Sequence, residues 1–421
     1  MKAPEPWRRG AEALRAIRQV LVSLLAWLLR AASLPFVRRE RRWIAVISRP
    51  AFLDNSKYFF VHASAAMAGQ GRVVFLSGNR RLGHEIRALG GEALHHPSAR
   101  SLWLLLRCGT VITDVSGWFD HGAFALSHGA RRVQMWHGAP LKHIELDVFR
   151  RRVEALPRWR RALLQVFKRL IGRYPRYDAV VTTSRRLADG IFAQCFRARE
   201  LVVTGYPRND VLLGAADAPA GMHAINVDMA TLDEIRSARA GGRTVCLYAP
   251  TFRKSLSSPF GRVLDEERLS RFAERHGFLI VTKLHPFMAG RGAARRLPGV
   301  IDSNPAGDIY PIMRMCDVLI TDYSSIYFDF LLLDRPVVFL AYDLEDYVAH
   351  DRGMYFGFHE VAAGVVCETQ DSLEAELLEI RQGAGQDAFE GQRRRIREWM
   401  HDYHDADASE RLLRWCMGLR R

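Results

Sequence analysis

The residues able to do chemistry in this chain sit where short apolar runs stop. His137 follows the run 133–136 and precedes Gly138, so its ring can face a cleft uncovered. An imidazole there can take a proton near neutral pH, although a lone histidine at a strand–helix turn more commonly satisfies only local hydrogen bonds. Lys283-Leu284-His285-Pro286 follows 278–282, and Pro286 limits how the second histidine points. Thr251-Phe252-Arg253-Lys254 comes after 244–248, where a hydroxyl beside two cations suits an anionic ligand or makes a solvated basic loop. After 201–204, Gly205 and Pro207 force a turn that carries Arg208 and Asn209, which can reach a phosphate or cap the next helix. The most specific group is Thr321-Asp322-Tyr323-Ser324-Ser325, leading into an apolar helix. Its hydroxyls and helix-start N–H groups suit an anion, and capping by Asp322 or Ser324 is compatible with that.

The second half of the chain thus gathers Arg253, Lys254, His285, Ser324 and Ser325 at successive strand tips. They form a diphosphate cradle without a glycine-rich loop. No G-x-x-x-x-G-K-[ST], G-x-G-x-x-G or H-E-x-x-H string occurs, and no carboxylate cluster has clear metal-ligand spacing. The expectation is therefore phosphate chemistry handled by His, Arg, hydroxyls and helix ends, with no metal and no cofactor.

These groups need a scaffold that brings strand tips together. Strand-like runs at 43–47, 72–76, 111–113, 133–136, 179–182 and 201–204 alternate with helical stretches, and a second series runs through 244–248, 278–282, 318–320, 337–340 and 365–367. That alternation predicts an α/β fold of two doubly wound, parallel-sheet domains with a cleft between them, ligands lying beyond the carboxyl ends of the strands. The expected division is a basic amphipathic segment over 1–42, a first domain over 43–213, a linker over 214–242, a second domain over 243–395 and a C-terminal helix over 396–421.

Charge separates the classes of partner. The 421 residues carry 61 Lys+Arg against 46 Asp+Glu, a net +15. Residues 1–43 hold ten basic and three acidic residues, and residues 142–176 hold eleven and three, so these two segments carry the whole excess. The first has an apolar run at 20–29 broken by Arg30, with Trp7, Trp27 and Trp43 bracketing it. Ten helical residues rise only about 15 Å, half a bilayer core, so this reads as a helix lying in a membrane interface; the bland reading is a helix packed on the protein body. The second interleaves Arg158, Arg160, Arg161 and Lys168 with Trp159, Leu163 and Val166, one or two amphipathic helices broken at Pro157. Either a solvated basic helix face or a membrane-docking element fits. The excess points to an anionic membrane surface, and without RNP-like aromatic strings nucleic acid is not expected. Six scattered cysteines read as buried free thiols in a reducing compartment. Together these place the protein peripherally on the cytoplasmic face of the membrane.

The sequence resembles the CDP-glycerol glycerophosphotransferase family, the primases and polymerases of wall teichoic acids and some capsules. The strings are Asn55-Ser56-Lys57-Tyr58, Met135-Trp136-His137-Gly138-Ala139-Pro140-Leu141-Lys142, Thr204-Gly205-Tyr206-Pro207-Arg208-Asn209-Asp210, Tyr248-Ala249-Pro250-Thr251-Phe252-Arg253, Lys283-Leu284-His285-Pro286 and Thr321-Asp322-Tyr323-Ser324-Ser325 with Phe328-Asp329. The resemblance implies a GT-B fold, with the donor on the second domain and the acceptor on the first. It implies transfer of a polyol phosphate from CDP-glycerol or a related CDP-polyol to a hydroxyl of a lipid-linked glycan acceptor, with release of CMP. His137 would be the base, while His285 and Arg253 would stabilise pyrophosphate charge. Ser324 and Ser325 would hold phosphate oxygens, joined on the donor side by Thr251, Lys283 and Asp322. Asp329 and Asp343, with Asp322, are candidates for polyol or ribose; Lys57, Lys142, Arg208 and Asn209 are turn or acceptor-side candidates. Ala139 departs from the family's usual Thr, which affects acceptor orientation. The long N-terminal extension found on some polymerases is not seen, leaving polymerase and single-addition primase both open. A CMP-sialic acid-dependent glycosyltransferase is the competing enzyme, and a non-catalytic binder of acidic lipid or nucleic acid the competing class.

Overall fold

The computed structural model describes the chain apart from residues 1–5, 35–36, 38, 49–50, 116–122, 155, 171–174, 215–218, 252–262, 284–295, 346–352, 384–386 and 419–421. Seven strands form the first sheet: β1 (Glu40–Ile47), β2 (Arg72–Ser77), β3 (Ala93–His95), β4 (Cys108–Thr113), β5 (Arg131–Gln134), β6 (Arg176–Thr182) and β7 (Arg197–Val203). Their order is β3-β2-β1-β4-β5-β6-β7, all neighbours parallel. The second sheet holds β8 (Thr244–Ala249), β9 (Phe278–Thr282), β10 (Arg296–Leu297), β11 (Val300–Asp302), β12 (Val318–Thr321), β13 (Val337–Leu340) and β14 (Val365–Cys367). It runs β10-β11-β9-β8-β12-β13-β14, with only the short β10 antiparallel.

Both sheets reverse direction of winding next to their first strand, between β1 and β4 and between β8 and β12. Those are the switch points at which doubly wound sheets bind ligands. Central strands such as β9 are buried on both faces, which is why they read as unbroken apolar runs. Side chains alternate between layers: Ala45 and Ile47 enter the same apolar cluster as Val245, Leu247 and Ala249 of the second sheet. Ile44 and Val46 face an outer layer on the first domain, and Cys246 and Tyr248 one on the second. The two domains therefore share a continuous apolar layer.

The segment expected as a linker contains the helix Met229–Ala240. In place of one C-terminal helix over 396–421 there are two, Glu390–Met400 and Ala408–Met417. The last one returns to the first domain, where Leu412, Leu413 and Cys416 join its outer core. Asp210 holds the start of that helix by accepting from the Ala408 and Ser409 N–H groups, each at 2.9 Å. The N-terminal residues Pro6–Ser33 form one helix, and residues 142–176 contain two, Glu145–Val153 and Arg158–Leu170. All six cysteines are buried and free.

Candidate active site

β5 ends at Gln134, two residues short of the run 133–136 read as a strand. Gln134 Oε1 accepts from the Trp136 N–H at 2.9 Å, and Trp136 adopts φ 59°, which turns the chain out of the sheet. His137 therefore rides on a loop, half-buried, its ring against the Trp136 indole with centroids 4.0 Å apart. Gly138 follows at φ 147°, a conformation that favours glycine. A Cβ on Gly138 would lie 3.2 Å from Arg208 Nη2 and 3.4 Å from Ser325 Oγ. The His137 loop of the first domain thus meets the Ser324-Ser325 loop of the second.

Buried polar groups hold the His137 loop in place. Asn55 Nδ2 donates to the Trp136 carbonyl at 2.9 Å, and Tyr206 Oη donates to the Gly138 carbonyl at 3.2 Å. The Arg208 N–H donates to Asn55 Oδ1 at 3.2 Å. Arg208 itself spans the domains, with Nη1 on Asp54 at 2.7 Å and Nη2 on Asp329, which also accepts from Tyr310 Oη at 2.8 Å. Burial opposes the Arg208 charge, but Asp329, Tyr310 and Asp54 hold its pKa well above the usual value. Burial likewise pushes the Asp54 carboxyl up, yet Arg208, and to a smaller extent His137, keep it below the usual carboxylate range.

In the second domain, Asp322 stands directly after β12 and accepts from the Thr251 N–H at 2.8 Å and the Thr251 hydroxyl at 2.6 Å. It anchors the loop after β8. Asp114, directly after β4, does the same in the first domain by accepting from the Ser56 N–H at 2.9 Å and Ser48 Oγ at 3.4 Å. Ser324 and Ser325 are half-buried, and Ser325 precedes the helix Ile326–Phe330 without a side-chain capping bond. Asp343 accepts from Tyr323 Oη at 3.2 Å. Lys283 Nζ donates to the carbonyls of Asn304 at 2.6 Å and Gly307 at 2.8 Å, and burial pulls its pKa down to about 8. Arg253, Lys254 and His285 lie outside the described residues.

The structure brings His137, Ser325 and Arg208 together, but it moves several other expected site residues into the domain seam. Asp329 is buried, with Oδ2 occupied by Arg208 and Tyr310 rather than open to a polyol or ribose. Arg208 is closed off between two carboxylates, so it is no open acceptor-side cation. Lys57 is fully buried, its ammonium on Asp308 Oδ2 at 2.8 Å and the Ile225 carbonyl at 2.9 Å. Burial draws the Lys57 pKa below the usual range despite Asp308. Lys142 pairs through its backbone with Met354 of the second domain. Asn209 is buried, and its side-chain amide finds no hydrogen-bond partner among the described residues. Sequence reasoning passed over Asp54, Asp114, Asp308 and Tyr310. Only Asp114 had a readable signal, because Ile-Thr-Asp recurs at 112–114 and 320–322, each time ending a strand.

A sequence profile described as CDP-Glycerol:Poly(glycerophosphate) glycerophosphotransferase matches residues 28–417. The chain belongs to this family. Similar curated members include the teichoic acid ribitol-phosphate polymerase TarK of Staphylococcus aureus, 33% identical over 190 residues, 43% of this chain and 35% of that protein. A teichoic acid glycerol-phosphate transferase of the same species is 30% identical over 262 residues, 60% of this chain and 63% of that protein. The matched region thus spans under two thirds of either relative. The wall teichoic acid polymerase TagF superposes with a TM-score of 0.71 at 21% identity, covering 99% of this chain and 98% of that one. That likeness gives this family member a GT-B-like fold: two domains, each with a parallel-dominated sheet.

Proposed function

We propose that the protein transfers a polyol phosphate from a CDP-polyol to a hydroxyl of a lipid-linked glycan acceptor and releases CMP, working at an anionic membrane surface. The observation that carries this reading is the meeting of His137-Gly138 with Ser325 across the domain boundary. A base on one side and hydroxyls on the other suit an acceptor hydroxyl and a phosphate. The His137 imidazole takes the acceptor proton as the acceptor oxygen bonds to the donor's β-phosphorus. The bond from that phosphorus to the bridging oxygen breaks, and its electron pair leaves with CMP. Ser324 and Ser325 supply hydroxyls for the phosphate oxygens. Arg253 and His285, which follow β8 and β9 in sequence, are assigned to the charge that develops on the pyrophosphate.

The membrane part of the reading draws on exposed apolar stripes. Among the described residues no helix is long and apolar enough to cross a membrane. Instead the helix Arg158–Leu170 exposes Trp159, Leu163 and Val166, each more than 60% accessible, amid Arg158, Arg160 and Lys168. The helix Pro6–Ser33 exposes Leu14, Ile17, Leu21, Leu25 and Leu28 along one side. Basic flanks on apolar stripes are the composition of helices that lie in an anionic interface.

The test is CMP release from CDP-glycerol, CDP-ribitol and CMP-sialic acid with a synthetic lipid-linked acceptor, read with product mass. The expected result is turnover of a CDP-polyol, lost in His137→Ala while donor binding persists. Turnover of CMP-sialic acid alone, or normal kinetics in His137→Ala, overturns the reading.

A further inference from the structure

The carbonyls on both sides of His137 are held by buried side chains, and those side chains lead to one guanidinium. Asn55 binds the Trp136 carbonyl and also accepts from the Arg208 backbone N–H, while Tyr206, two residues before Arg208, binds the Gly138 carbonyl. Arg208 Nη2 lies 3.2 Å from where a Gly138 Cβ would sit, and the same nitrogen bonds Asp329 of the second domain. Asp329 is four residues after Ser325 on the short helix Ile326–Phe330, so the two share a helix face. Whatever fixes Asp329 therefore fixes Ser325.

An apolar contact could join the domains equally well, because desolvation cancels much of what a buried ion pair gains. A planar guanidinium with a carboxylate on each arm does something an apolar contact does not, which is to set direction and register. We propose that Arg208, through its pair with Asp329, is a positioning residue that sets the Ser324-Ser325 loop in register with the His137 base. This rests on the transfer reading given above. The pair acts through geometry and touches neither the proton nor the phosphate. Its loss leaves each domain intact and lets the two halves of the site drift; an ångström of misplacement costs about 100-fold in rate.

The test uses the full chain with Asp329→Asn, which keeps shape and removes charge, and Arg208→Lys, which keeps charge but cannot reach both carboxylates. Two backbone bonds between the domains report register without any substrate: Tyr355 N–H to the Leu141 carbonyl at 2.9 Å and His143 N–H to the Gly353 carbonyl at 3.0 Å. In Asp329→Asn, hydrogen exchange at these two amides rises about tenfold or more while β1 and β8 keep their protection. Turnover of the CDP-polyol the wild type uses falls about 100-fold in kcat with its KM within about threefold, and Arg208→Lys falls between. Unchanged exchange at both amides, or a loss confined to KM, overturns the proposal, and so does an equal loss of protection in β1 and β8, which assigns Arg208 to folding alone. Should the wild type consume neither CDP-glycerol nor CDP-ribitol, the transfer reading fails on its own, and the exchange data still decide whether Arg208 sets the register.

Discussion

Replacing Lys57 with Met tests whether charge holds the two domains together. The Lys57 side chain has no exposed surface and Asp308 has 1%, so water cannot replace a lost partner at either end. The substitution keeps most of the volume and removes the cation. Asp308 Oδ2 is left with Tyr58 Oη at 2.7 Å, and Oδ1 with the Tyr310 N–H at 3.2 Å. Breaking a buried pair costs about 3–5 kcal/mol, and the two surviving donors put this case near about 3 kcal/mol. Removing both charges in Lys57→Met/Asp308→Asn keeps an acceptor for Tyr58 and leaves no unpaired ion. That double variant should recover to within about 1 kcal/mol of the wild type, about 2 kcal/mol better than the single variant. The assay is urea unfolding followed by tryptophan fluorescence and far-ultraviolet circular dichroism at fixed pH and salt. Lys57 belongs to the first domain and Asp308 to the second, so the loss falls on docking. The single variant should therefore unfold with the two signals separated, where the wild type shows them together. A loss below about 1 kcal/mol in the single variant, or a double variant no better than the single, refutes the reasoning.

Three further outcomes follow from the same geometry. Gly138→Ala meets a positive φ together with Arg208 and Ser325, so donor turnover should fall at least about 10-fold while far-ultraviolet circular dichroism is unchanged; near-normal turnover would show that the loop has room to move. Lys283 loses its proton near pH 8 when folded and near 10.5 when unfolded, so the unfolded chain binds more protons between those values and stability should rise with pH across that window by roughly 3 kcal/mol at most. Thermal melts from pH 7.5 to 10 should show that slope in the wild type and not in Lys283→Met. Substituting Asp for Leu21, Leu25 and Leu28 together, or for Trp159 and Leu163, should reduce sedimentation with anionic vesicles and leave the melting temperature near that of the wild type, since all five side chains are exposed.

Much of the fold was legible because buried parallel strands are contiguous apolar runs, and each of the eleven runs overlaps a strand. β3, β10 and β11 escaped for a physical reason. They are three residues or fewer and sit at or next to a sheet edge, where little apolar sequence is needed. The site was legible in part. His137 and the Ser324-Ser325 loop stand at strand ends, where a linear reading can find them. Asp54 and Asp308 work through partners more than 100 residues away, and Tyr310 reaches Asp329 across 19 residues, beyond any helix or strand period, so no local pattern marks these pairings.

The lysines show how a sound sequence inference can reach the wrong location. Only six of the 61 basic residues are lysine, so a lysine within a motif reads as a chemical choice. At Lys57 and Lys283 it is one, but the chemistry is structural. A compact ammonium with three donors can enter a closed pocket and bind a carboxylate and a carbonyl, or two carbonyls, where a guanidinium needs a wider planar slot. Arg208 occupies such a slot, with a carboxylate from each domain on its two arms. The net +15 is therefore no guide to these sites. The charges that join the domains face opposite charges inside the protein, and the excess lies on two segments whose helices carry apolar side chains to the surface.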